Sequence, residues 1–91
     1  LDILEKEIEA YFNKRVKEHG GLSLKFISSI TGVPDRIVLF NDMVYFAEIK
    51  SPRGKLSPRQ VKVFSQFEAL GHEVFVINSK EKADAWIANR V

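Results

Sequence analysis

The 91 residues predict an α/β domain of the mixed α+β kind, one sheet flanked by helices in the order α-β-β-β-α-β-α. Three observations lead there. Apolar residues recur at helical spacing in three separate segments, each closed by glycine or opened by a capping serine. Short apolar or alternating runs lie between them and read as strands. At the centre, Asn41-Asp42 interrupts two apolar runs with the residue types that tolerate the left-handed backbone of a tight turn.

Taken in order, residues 2–18 place Leu4, Ile8, Tyr11, Phe12 and Arg15 or Val16 on one helical stripe, and His19-Gly20-Gly21 ends it. Residues 22–28 alternate as a strand. Thr31-Gly32-Val33-Pro34 is a loop that delivers Asp35 to a hairpin built from Ile37–Phe40 and Met43–Ala47. Ser57 is a good N-cap with Pro58 at the first helical position, and Gly71 closes that second helix. Val74–Ile77 is a short buried strand. Ser79 then caps a last helix whose Ala83, Trp86 and Ile87 face inward.

The hairpin carries the chemistry. With the turn at 41 and 42, paired positions sum to 83 and Asp35 falls opposite Glu48. Carboxylates on such a pair are close enough to repel. Lys50, two residues beyond Glu48, projects from the same face. Two facing acids with an attendant lysine read as a divalent-metal site; the competing reading is a surface charge cluster that Lys50 neutralises.

Size and composition bound the rest. Ninety-one residues make a single domain, 1–91, near the lower size at which one core suffices. There are no cysteines, hence no disulfide framework or thiolate metal site. No apolar stretch approaches a membrane span, and no signal peptide is visible. Net charge is only +2, but Arg53, Lys55, Arg59 and Lys62 follow Lys50 with no intervening acid. Such a cationic run beside a metal site suits a polyanion, though by itself it is also an ordinary solvated loop.

Two polar residues sit on apolar stripes. Glu5 lies at the edge of the first helix's stripe and is the acid best placed to look inward, with Glu9 farther round. It also fits the common role of a first-turn acid that favours the helix dipole. Gln60 continues the stripe Phe64, Phe67, Leu70 toward the sheet, where it needs a partner: Lys50, a metal-bound water or a phosphate, or else solvent. His19 and His72 adjoin glycines at helix ends and have no second ligand at metal spacing.

Glu5, Gly32-Val33-Pro34-Asp35, Glu48-Ile49-Lys50, the stretch Ser51-Pro52-Arg53-Gly54-Lys55-Leu56-Ser57-Pro58-Arg59-Gln60 and Leu70–Val76 together resemble the VRR-NUC (virus-type replication-repair nuclease) branch of the PD-(D/E)XK nucleases. The resemblance spans nearly the whole chain, with no departure at the core positions. It implies a restriction-endonuclease-like core and a Mg²⁺- or Mn²⁺-dependent endonuclease that hydrolyses DNA phosphodiesters. Asp35, Glu48 and the Ile49 carbonyl would bind the metal. Glu5 would contribute through a water or a second ion, with Glu9 in its place in another register. Lys50 would orient or deprotonate the attacking water, and Gln60 would complete the catalytic set. Arg53, Lys55, Arg59 and Lys62 would hold the DNA backbone. The small stand-alone members it resembles imply a symmetric homodimer cutting four-way (Holliday) junctions in repair, in the cytoplasm of a bacterial or phage-infected cell, with no organic cofactor. The alternatives are a non-selective nicking or trimming nuclease, a DNA-binding module whose acids only stabilise the fold, and an interaction domain without nucleic acid.

Overall fold

A computed structural model describes residues 3–91. The elements follow the expected order: α1 (Glu5–Glu18), β1 (Leu22–Lys25), β2 (Arg36–Phe40), β3 (Met43–Ile49), α2 (Pro58–Ala69), β4 (Val74–Ile77) and α3 (Lys80–Ala88). They form one four-stranded sheet in spatial order β1-β2-β3-β4. The first three strands are antiparallel and β4 runs parallel to β3. Position 2 of the expected first helix lies outside the described residues, and Ile3 and Leu4 precede the helix that begins at Glu5. The strand expected over 22–28 stops at Lys25, although Phe26 N–H still bonds the Asp35 carbonyl at 2.8 Å.

The hairpin turn is the one its residues call for. Asn41 and Asp42 both have positive φ, 49° and 62°, the type I′ geometry that matches strand twist. It sets Arg36 opposite Ala47 and Phe40 opposite Met43, so the register summing to 83 is the one formed.

Side-chain alternation divides the molecule in two. On one face Val38, Phe40, Ala47, Ile49 and Ile77 pack with Ile8, Phe12 and Val16 of α1 and Ala83, Trp86 and Ile87 of α3. Trp86 stands edge-on to Phe12, Phe40 and Tyr45. Tyr11 Oη donates to Asp84 and Arg15 Nε donates to the same carboxylate at 3.1 Å, tying α1 to α3. On the other face α2 brings Phe67 against Phe26 and Phe46.

Two expected stripe positions differ. Leu4 and Leu70 are exposed, Leu70 by 79%. Each lies just beyond its helix, Leu70 as the C-cap of α2. Val63 takes the buried place on α2 beside Phe64.

Candidate active site

Asp35 and Glu48 meet on the α2 face of the sheet. Pro34, itself buried, fixes the backbone just before Asp35. The Asp35 carboxylate accepts the Ile49 backbone N–H through Oδ2 at 2.9 Å, where β2 has ended and the ladder would otherwise leave that donor open. Glu48, a step earlier on β3, is 2% exposed and the only charged side chain in the core among the described residues.

Three groups bear on the Glu48 carboxylate. Gln60 Nε2 donates to Oε2 at 2.9 Å. Lys50 Nζ lies 3.5 Å from the same oxygen and is largely shielded. The other oxygen, Oε1, is buried with no hydrogen-bond partner. Burial first, and the facing Asp35 charge second, push the Glu48 carboxyl up to about 7, with Lys50 pulling the other way.

The Gln60 partner is thus Glu48 itself, not Lys50 or solvent. Its other end is occupied too: Ser57 N–H donates to Gln60 Oε1 at 2.9 Å and Gln60 N–H donates to Ser57 Oγ at 3.1 Å, a complete capping box. Sequence pattern identified Ser57 as a cap and Gln60 as an inward polar residue. That one motif joins the two was missed, although Ser-x-x-Gln is its signature.

Of the helix-1 acids Glu5 and Glu9, neither is hydrogen-bonded or ion-paired to Asp35 or Glu48. Glu5 is exposed, and Glu9 pairs with Arg36 Nη2 at 3.3 Å. Arg36 follows Asp35 directly and points to the opposite face, the one α1 covers. No group of three or more His, Asp or Glu side chains able to hold a metal occurs among the described residues. Ile49 buries its side chain in the α1 face, so its backbone lies between Glu48 and Lys50 at the end of β3.

Arg53, Lys55, Arg59 and Lys62 are all exposed. Arg59 Nε donates to the Thr31 carbonyl at 3.2 Å, on the loop leading to Asp35. Gly32 there has φ of 89°, and a Cβ on it would sit 3.0 Å from Arg59 Cγ. His19 Nδ1 lies 2.9 Å from the Arg15 carbonyl and His72 backbone N–H donates to the Phe67 carbonyl at 2.9 Å, so both close helix ends.

A mixed sheet whose central hairpin carries facing acids followed by a lysine defines the restriction-endonuclease-like PD-(D/E)XK class. No family model matches the chain. The phage protein p44 of Acyrthosiphon pisum secondary endosymbiont phage 1, whose name proposes it as a nuclease, is 40% identical over 81 residues, covering 87% of each chain. A solved structure described as a VRR_NUC domain superposes with a TM-score of 0.86 at 29% identity, over 96% of this chain and 97% of that one. The chain belongs to the VRR-NUC family.

Proposed function

We propose that this protein is a divalent-metal-dependent DNA endonuclease. The observation that carries the reading is Glu48: a buried carboxylate facing a second one, with one oxygen fixed by Gln60 and Lys50 and the other without a partner. A buried acceptor left open is costly, and oxygen donors of this kind suit Mg²⁺ or Mn²⁺. Asp35, Glu48 and the Ile49 carbonyl would hold the ion. Glu5, exposed at the start of α1, would contribute through a water or a second ion. When bound, the ion would polarise the phosphate and lower the pKa of a coordinated water. Lys50 would orient the attacking water and offset charge developing on the phosphate. Gln60 holds Glu48 in place, and Arg53, Lys55, Arg59 and Lys62 would contact DNA phosphates, which position the strand without reading bases.

The finer proposal is structure selectivity as a symmetric dimer in the cytoplasm of a bacterial or phage-infected cell. The longest dimension of the chain is 37 Å, about eleven base pairs of duplex at ~3.4 Å each, so one copy spans about one turn of a single arm. Leu22, Leu39 and Val44 lie in line across β1, β2 and β3 on the sheet face beyond α2 and are exposed. Apolar surface of that kind supports self-association. No helix among the described residues is long and apolar enough to cross a membrane.

The test incubates the protein with a labelled four-way junction, a linear duplex and a single strand, in Mg²⁺ or Mn²⁺ against chelator. Paired cuts on the junction alone, absent in Glu48→Ala, are the expected result. Cuts on every substrate would retain the nuclease and remove the selectivity. A folded protein that binds DNA equally with and without metal and never cuts it would establish the binding-module reading instead. Sedimentation as a strict monomer at working concentration would remove the dimer.

A further inference from the structure

Residues 57–60, at the start of α2, hold both segments that carry the acids. Gln60 spans from the Ser57 backbone to Glu48. Its amide has an accepting and a donating end, and only the donating end suits a carboxylate. With Oε1 tied to the Ser57 N–H, Nε2 has to point at Glu48. The reversed amide would set an oxygen against Glu48 Oε2 and leave the Ser57 N–H facing a donor. Ser57 Oγ, by accepting the Gln60 N–H, fixes the backbone from which this side chain springs. One residue along, Arg59 bonds the Thr31 carbonyl and packs on Gly32, three residues before Asp35.

We propose that Ser57 is a positioning residue for the site, acting through the Gln60 amide on Glu48; this rests on the reading of Asp35 and Glu48 as a metal-holding pair. Ser57 touches neither substrate nor metal. Its capping box determines which oxygen of Glu48 stays open and at what angle, as outer-shell partners do for carboxylate ligands. Ser79 is the internal control, since its Oγ accepts the Lys82 N–H at 3.0 Å as the same kind of cap on α3 and α3 packs on the opposite face.

The experiment compares wild type, Ser57→Ala, Ser57→Thr and Ser79→Ala in the full chain. Mn²⁺ affinity is read by calorimetry, the Gln60 side-chain amide by ¹H–¹⁵N NMR in metal-free protein, and kcat and KM on cleaved DNA. Ser57→Ala is expected to weaken Mn²⁺ binding about tenfold, displace the Gln60 amide resonances and lower kcat with KM for DNA unchanged. Ser57→Thr restores all three. Ser79→Ala lowers the melting temperature but leaves Mn²⁺ affinity and the Gln60 amide as they were. Wild-type Mn²⁺ affinity in Ser57→Ala, or an equal loss in Ser79→Ala, would overturn the proposal. If wild type binds no Mn²⁺, the metal reading fails, and the metal-free Gln60 resonances still decide. Unmoved by Ser57→Ala, they overturn the link; moved by Ser57→Ala alone, they sustain it.

Discussion

Glu48 concentrates the conflict in this molecule. Its carboxyl stands at about 7 in the folded chain against about 4.3 for an unperturbed glutamate, so between those values the folded state holds the extra proton. Stability from this group is therefore complete below the unfolded pKa and lost as pH rises through about 7. Metal-free protein should melt at a lower temperature at pH 8 than at pH 5.5, by about 2 kcal/mol of stability from this one group. Glu48→Gln should flatten that dependence in thermal melts while abolishing Mn²⁺ binding. A flat wild-type profile would mean that the Lys50 charge and the Gln60 hydrogen bond already offset the cost of burying the Glu48 charge. Gln60→Glu poses the complementary question: it retains an acceptor for Ser57 N–H but turns a carboxylate on Glu48. Loss of cleavage with the α2 cap intact by amide exchange is the expected outcome.

At the scale of elements, burial identifies which contacts bear the load. Phe12 is fully buried and edge-on to Trp86, so Phe12→Ala should cost about 3–5 kcal/mol by denaturant unfolding. The guanidinium of Arg90 lies 4.1 Å from the Trp86 ring centre and 4.4 Å from that of Phe75, and Nη1 donates to the Trp86 carbonyl at 2.7 Å. A lysine offers neither the plane nor the fork, so Arg90→Lys should alter the near-ultraviolet circular dichroism of Trp86 and lower stability by about 1 kcal/mol. The hairpin, the caps at Ser57 and Ser79 and the inward face of α3 were all legible in the chain, because each is written in neighbouring residues. The place of α1 was not. Periodicity shows that a helix has an apolar face, but not which side of the sheet receives it. That choice sends Glu9 to Arg36. The Arg59–Thr31 bond was hidden for the same reason, since it joins residues 28 apart in sequence.

Across the whole molecule, the two sheet faces do different jobs: α1 and α3 seal the side with the larger core, and α2 reaches Glu48 on the other while leaving Leu22, Leu39 and Val44 exposed toward the hairpin turn. If Lys55 and Lys62 each neutralise one phosphate, changing both to Gln should reduce the slope of log affinity against log salt by about 1.8. An unchanged slope would place the DNA elsewhere. The hairpin also acts as a ruler. Five residues of β2, two of turn and the five from Met43 to Ala47 separate Asp35 from Glu48. Adding or deleting one residue in either arm would invert every side chain beyond it and rotate Asp35 away from Glu48, toward the side where Arg36 now meets Glu9. An extra residue at the tip can be absorbed as a longer loop with the arms still matched. Length variation among active descendants of this sequence should therefore gather at positions 41 and 42 and spare the arms, whose residue count keeps the two acids in step.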